Sequence, residues 1–504
     1  MSTTITVSPV TRIEGHLGIK VEVEANRVAK AYVSGEMFRG FEVLLLGRHP
    51  QDAQHITQRI CGVCPVEHGV ASVLAQEMAY GIHPPENGRL VRNLIQGANF
   101  IMSHITHFYL LSGVDFVDVA AITAYPGNDP ALTALQGWVK AQLASRSVTP
   151  AAPFLPRYAA KYLEDADANF TILRHYLEAF EMRTMAHKMG AIFAGKLPHA
   201  ATLVPGGITE RVTALKIAQF GSLLGRLQAF IQQSYLPDVA GVARAFPDYF
   251  SVGHGCANFL SYGVFPESAD GRTRMFQPGV LINGKLDDVD PDAITEDVTH
   301  SLFSSASGLK PGAGATVPAP TKPGAYSWLK APRYRGQVME VGPLARMLVG
   351  YHQDVPSGCR TAVDNLLRAV DKKPEQLVSV MGRHAARALE CKLVADRCAV
   401  WLDQLVPDAP ACSPYSVPEV GRGYGMTEAA RGALGHWLEI GGGRVRNYQC
   451  VVPTTWNCSP RDDRGIPGAV EQALIGTPVA DPENPIEVAR VVRSFDPCLA
   501  CAVH

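Results

Sequence analysis

The chain has 504 residues, 47% of them hydrophobic and 18% charged, which gives apolar material for a large buried core and excludes a disordered chain. With 46 basic residues against 47 acidic ones the formal net charge is −1, so neither nucleic acid nor an anionic membrane surface is expected as a partner. No window approaches the roughly 20 uninterrupted apolar residues of a membrane span, and the N-terminal Met1-Ser-Thr-Thr-Ile-Thr-Val lacks the basic and apolar regions of a signal peptide.

Residues 4–35 alternate through Ile5, Val7, Ile19, Val21, Val23, Val28, Ala31 and Val33, which predicts two or three strands. A charged and apolar stretch over 39–59 leads into a first cysteine pair. Helical periodicity covers 66–81, 88–113, 165–195, 208–234 and 374–406; in the last, Leu377, Val380, Met381, His384, Ala385 and Ala388 recur at helical spacing. Residues 273–286 predict a hairpin turning at Asn283-Gly284. Residues 301–336, rich in Gly, Pro, Ser and Ala, read as a long surface loop or wrapping arm, and 409–425 as a second such segment. A strand over 444–452 and a helix over 484–494 complete the pattern, with no internal repeat. The expected fold is mainly α (α+β), a helical bundle core with small peripheral β-sheets. A single domain is expected over 1–504, with a β-rich part to about 60, a helical core to about 410 and a metal-binding part beyond.

Eleven cysteines punctuate this chain, four of them in two C-x-x-C pairs. Cys256, Cys359, Cys391, Cys398, Cys412, Cys450 and Cys458 are dispersed and read mostly as small buried apolar residues, not as a disulfide framework. The first pair stands in Arg59-Ile-Cys61-Gly-Val-Cys64-Pro65-Val-Glu-His68, the second in Asp496-Pro-Cys498-Leu-Ala-Cys501-Ala-Val-His504. A two-residue spacer lets both sulfurs of a pair face one centre, and four thiolates suit soft first-row metals. Pro65 fits the first turn of a helix, which puts Cys64 at a helix N-terminus, where thiolate is favoured. Local zinc sites separate their pairs by roughly 15–20 residues. Here Cys64 and Cys498 lie 434 positions apart, so a folded core must bring them together. The pattern by itself leaves open a catalytic or redox metal, a structural four-cysteine zinc site, and two unrelated pairs.

Six segments, in order along the chain, carry a family resemblance: Arg12-Ile13-Glu14-Gly15-His16, Phe38-Arg39-Gly40-Phe41-Glu42, Arg59 to His68, Arg431-Gly-Ala-Leu-Gly-His-Trp437, Pro453-Thr-Thr-Trp-Asn457 and Asp496 to His504. Together they resemble the large, catalytic subunit of nickel–iron hydrogenases. The resemblance implies reversible heterolytic cleavage of H2 at a nickel–iron centre, with Cys61 and Cys498 as terminal nickel ligands and Cys64 and Cys501 bridging to iron. The iron would carry CO and two CN ligands. A proton would pass to a thiolate, that of Cys498, and then to Glu14; read without the family, Glu14 is as well explained by an ion pair with Arg12. Arg431 and Asp496 would form a charged canopy, Thr454 would hydrogen-bond a cyanide, and Val63 and Leu434 would line the carbonyl pocket. His68 would donate to the bridging sulfur of Cys501. Glu42, the Cys450 carbonyl and His504 would hold a separate magnesium or iron.

The resemblance further implies an iron–sulfur small subunit as partner in a heterodimer, because the remaining cysteines have no cluster spacing. It implies a periplasmic location, co-exported with that subunit, against the cytoplasmic location that the missing signal alone favours. A maturation endopeptidase would act on the precursor, with His504 as the end of the matured form. Two departures stand out. Ser103 stands where many members have aspartate, and it and the surrounding sequence resemble the nickel–iron–selenium branch, in which selenocysteine takes the place of Cys498; Ala430 replaces the usual proline before Arg431. A hydrogen-sensing subunit on the same scaffold is the alternative reading, beside the zinc protein.

Overall fold

The computed structural model describes residues 3–145, 160–353 and 358–504. The N-terminal strands form an antiparallel meander, β1 (Thr3–Val7), β2 (Leu17–Glu24) and β3 (Arg27–Gly35), with Ile5, Ile19, Val21 and Val33 on its buried face. The β2–β3 turn is Ala25-Asn26, both at positive φ, the tight geometry whose twist matches the flanking strands.

The core is helical: α1 (Pro65–Tyr80), α2 (Glu86–Thr106), α3 (Ala166–Ala194), α4 (Ala214–Phe230) and α5 (Val380–Asp403). Every residue of α2 from Asn87 to Ile105 is buried, because α3 and α5 pack on it directly. A helix apolar or satisfied on all faces belongs at the centre of a large core. The periodicity expected to run on to 113 widens at 107–112 into a π-type turn, where the Ser112 hydroxyl donates to the His107 carbonyl at 2.9 Å.

A second antiparallel meander, β4 (Val420–Ala429), β5 (Gly432–Gly441) and β6 (Arg444–Val451), lies against α1. Its first strand takes in 420–425, the last part of the segment 409–425 that the sequence reads as a loop, while 409–419 is largely irregular. Gly421, Gly423 and Gly425 alternate on the face that meets Ala71, Ala75 and Ala79 of α1, and a Cβ at Gly425 would fall 1.9 Å from the Ala71 carbonyl. These glycines therefore serve backbone-to-backbone approach inside a strand, a pattern easily misread as a turn. The chain ends with α6 (Ile486–Ser494) and a short turn of helix, Leu499–Ala502.

The hairpin at Asn283-Gly284 joins Gly279–Ile282 to Lys285–Asp287, whereas Arg274–Phe276 pairs with Val264–Pro266 in a different sheet. The arm over 301–336 is largely irregular and ends in Ala331–Tyr334, which pairs with Ile294–Asp297. Helices Pro130–Ser145, Leu236–Ala245, Pro343–His352 and Cys359–Val370 escaped the sequence reading. About 48% of the chain is helical, so α+β is the proper description and mainly α overstates it. Among the described residues no helix is long and apolar enough to cross a membrane.

Candidate metal centre

The two ends of the chain meet in a short parallel bridge. Glu14 donates its backbone N–H to the Pro497 carbonyl at 3.3 Å, and Leu499 donates to the Glu14 carbonyl at 2.9 Å. Gly15 has φ +79, and a Cβ there would stand 2.8 Å from the Ala500 nitrogen, so this close approach needs glycine. Arg12 is not the partner of Glu14. It pairs with the fully buried Asp115, which also takes two 2.9 Å hydrogen bonds from Arg493 on α6. One carboxylate thus clamps the N-terminal segment, the end of the α2 region and the helix that delivers the second cysteine pair.

The bridge brings all four paired cysteines together, each 3% exposed or less. The Sγ separations are 3.0 Å for Cys64–Cys501 and Cys498–Cys501, 3.4 Å for Cys61–Cys498 and 4.0 Å for Cys64–Cys498. Pro65 occupies the first turn of α1 and Cys64 its N-cap position, as the sequence predicts. Hydrogen bonds from the other three sulfurs hold Cys61 well below the usual thiol range. Cys64, although hydrogen-bonded by Cys498 and Cys501, is pushed up to about 11 by Cys61 and by burial. Burial foremost raises Cys498 and Cys501 well above the usual thiol range. Without a cation this pocket supports one thiolate among three thiols. Full ionisation needs positive charge between the sulfurs, so the donor set fits a metal centre.

Around the sulfurs, the remaining predicted residues fall as follows. Glu14 Oε2 accepts from Cys498 Sγ at 3.1 Å and from the Ala500 N–H at 2.9 Å; burial foremost, then Cys61, raises its carboxyl above the ordinary range. Arg431 lies on the β4–β5 turn, donating to Asp496 at 3.0 Å and reaching Ser103 at 3.4 Å. Asp496 itself sits at φ +53, a strained conformation for a non-glycine residue. Thr454 Oγ1 accepts from the Cys498 N–H at 2.9 Å, which leaves its own hydroxyl proton to donate elsewhere. Leu434 and Ala430 are buried and Val63 is half-buried; the Ala430 carbonyl is taken by Arg346 at 2.9 Å.

His68 is fully enclosed, and burial lowers it to about 3, so the ring is neutral. Its Nδ1 lies 3.1 Å from His436 Nε2, whose Nδ1 in turn lies 2.8 Å from the Tyr448 hydroxyl. His104 is paired with Glu390 at 2.9 Å, and His107 donates to the Arg493 carbonyl at 2.7 Å.

Glu42, Cys450 and His504 form a second buried group. His504 Nδ1 donates to the Cys501 carbonyl at 2.7 Å, which leaves Nε2 facing Glu42 Oε1 at 3.2 Å. Burial opposes ionisation of Glu42, but Lys330 and His504 hold it at about 2. Lys330 stands 4.0 Å from Glu42, 3.2 Å from Glu296 and 3.1 Å from Gln449. Sequence reasoning missed Lys330 and Glu296, which sit in or beside the Gly/Pro-rich arm and carry no local signal; His436 stands within a quoted segment and Tyr448 within the expected strand, but β5 is buried on both faces over 432–438, so no alternation marks His436 as a partner of His68. Among the described residues no disulfide joins the dispersed cysteines, and all but Cys256 and the exposed Cys412 are buried.

Known proteins match this chain over nearly its whole length. The family model described as nickel-dependent hydrogenase matches residues 39–504, and a HoxL-like model matches 4–34. The chain is 43% identical to the periplasmic NiFeSe hydrogenase large subunit of Desulfomicrobium baculatum, covering 99% of this chain and 94% of that one. It is 38% identical to the uptake hydrogenase large subunit of Bradyrhizobium diazoefficiens, covering 99% and 95%. The crystal structure of a reduced, active form of the Ni-Fe-Se hydrogenase from Desulfomicrobium baculatum superposes with a TM-score of 0.89 at 43% identity, all of both chains being covered. The reduced Ni-Fe-Se hydrogenase from D. vulgaris Hildenborough superposes with the same TM-score at 42% identity. Neither the zinc nor the sensor reading is favoured by these likenesses. The chain belongs to the nickel-dependent hydrogenase family, as a large, catalytic subunit.

Proposed function

We propose that H2 is cleaved here at a nickel–iron centre held by Cys61 and Cys498 on nickel, with Cys64 and Cys501 shared with iron. The observation that carries this reading is the convergence of four buried sulfurs from two distant segments of the chain beside the Glu14 carboxyl, which accepts from Cys498 Sγ. A zinc tetrahedron would set its sulfurs about 3.8 Å apart, given a Zn–S length of about 2.3 Å. Spacings from 3.0 to 4.0 Å suit a less symmetric centre. When bound, the metals, with iron bearing CO and two CN groups, supply the Lewis acidity and electron capacity that so weak an acid as dihydrogen requires.

The protein's part is to orient and to move the proton. Cys498 Sγ accepts it and passes it to Glu14 Oε2, 3.1 Å away. Arg431, its fork fixed by Asp496, presents a permanent positive charge over the sulfurs. Thr454 would offer its hydroxyl proton to a cyanide nitrogen, while Val63 and Leu434, beside Ala430, would give the carbonyl an apolar wall. Neutral His68 donates to Cys501. Glu42 and His504, with the Cys450 carbonyl, would hold a magnesium or iron ion.

Among the described residues no other cysteines gather into a cluster site, so electrons leave through an iron–sulfur small subunit docked as a heterodimer. The pair works in the periplasm, exported together, in keeping with the periplasmic relative. The test is infrared absorption of the anaerobically purified protein with metal analysis. One carbonyl and two cyanide stretches that shift under hydrogen are expected. An empty window in protein containing zinc but no nickel overturns the reading.

A further inference from the structure

Eight glutamates of the described residues are buried. Seven have a lysine or arginine within 4.0 Å: Glu42 and Glu296 share Lys330, Glu390 and Glu428 share Arg346, and Glu77, Glu340 and Glu471 have Arg92, Arg383 and Arg461. Glu67 alone has none. It is 0% exposed, and both of its carboxyl oxygens, at 2.7 and 3.0 Å, meet the same donor, the Asn99 amide of α2. A buried carboxylate without a cation is costly, and such a group holds a proton instead. Burial, the foremost cause, raises Glu67 to about 7 against the opposing influence of Asn99. The charged groups that face it are Arg431, which lowers it, and Cys61, which raises it; from the packed strand β4, Glu428 is already engaged by Arg346.

Its position gives that proton somewhere to go. Glu67 lies in the first turn of α1, three residues beyond Cys64. Its partner Asn99 lies one turn before Ser103, the residue that Arg431 reaches at 3.4 Å. In the other direction a surface cleft of about 530 Å³ opens between the same two helices, with Val70 and Leu74 of α1 and Asn93 and Gln96 of α2 in its lining. Val70 and Gln96 are each three residues from Glu67 and Asn99, which places the carboxyl about one helical turn, or about 5 Å, inside the cleft wall.

We propose that Glu67 is a proton-holding residue on a second route between the metal centre and solvent, separate from Glu14 and opening into the cleft between α1 and α2. The step is a proton transfer only: the Glu67 O–H bond breaks, the proton goes to water from the cleft, and the carboxylate regains a proton from the side of the centre. This rests on the hydrogen chemistry proposed above.

The test is infrared difference spectroscopy of the metal-loaded heterodimer, with hydrogen uptake followed against pH. Wild type is expected to show a protonated-carboxyl C=O band that moves down in deuterium oxide, disappears in E67Q and is displaced in N99A, which removes the amide donor. The uptake profile should contain a step near pH 7 that E67Q abolishes. If E67Q does not assemble, N99A carries the band assignment. An active wild type whose carboxyl bands and pH profile are unchanged in E67Q, or unmoved in N99A, overturns this inference alone. A nickel-loaded wild type without hydrogen uptake overturns it together with the function on which it rests.

Discussion

Replacing Glu14 with Gln isolates proton acceptance from structure. Cys498 is 1% exposed, and outside the other three cysteines Glu14 is the side chain among the described residues that its sulfur meets within hydrogen-bonding distance. Glutamine keeps the volume, and its carbonyl oxygen can still accept the Ala500 N–H held at 2.9 Å. The stability cost is therefore that of one weakened hydrogen bond, about 1 kcal/mol or less. Turnover loses the positioned base itself, which is worth about 10²–10⁴-fold, or about 3–5 kcal/mol of barrier. The assay pairs hydrogen uptake with an artificial electron acceptor and nickel content measured on the same preparation. Expected is full nickel, an almost unchanged melting temperature and uptake reduced by two to four decades, about the range of general-base catalysis. E14Q with wild-type turnover and full nickel would refute the assignment of Glu14 as the first proton acceptor beyond Cys498.

Other consequences are open to measurement. Gly425→Ala should destabilise the protein by about 1–3 kcal/mol through overpacking, since its Cβ would be driven to 1.9 Å from the Ala71 carbonyl; an unchanged melting curve would contradict the backbone contact. Glu42→Gln should lose one divalent ion while nickel is retained, with earlier proteolysis of the C-terminus; unaltered metal content would remove the second site. Glu390 is opposed by burial but held at about 2 by Arg346, below its ordinary 4.5, so its contribution to stability is present above about pH 4.5 and is lost as the pH falls toward 2. E390Q should flatten the acid limb of stability over that window and, by breaking a buried pair, cost about 3–5 kcal/mol near neutrality.

What could be read from the sequence follows from where the information is stored. Cys61, Cys64, Cys498 and Cys501 declare themselves by residue type and spacing, and α1 to α5 by periods of three and four. Both signals are local. The pairing of Arg12 with Asp115 is not local: 103 positions separate them, and nothing near either residue distinguishes that pair from Arg12 with Glu14. The glycine-spaced strand β4 was mistaken for a loop because its glycines are there for helix contact, which only the folded neighbour reveals. Glu67 stands within a quoted motif, yet its isolation from cations is a property of seven other glutamates and their partners.

The bridge between Glu14 and Cys498 also has a consequence in time. Half of the sulfur ligands are made early and the other half more than 400 positions later. At roughly 5–20 residues per second, the 434 positions between Cys64 and Cys498 take on the order of 20–90 s to translate. Throughout that interval the first pair is a two-thiol site, able to take up an ion that prefers low coordination. The four-sulfur centre therefore cannot exist as a unit until both segments have been made and the bridge between Glu14 and Cys498 has formed.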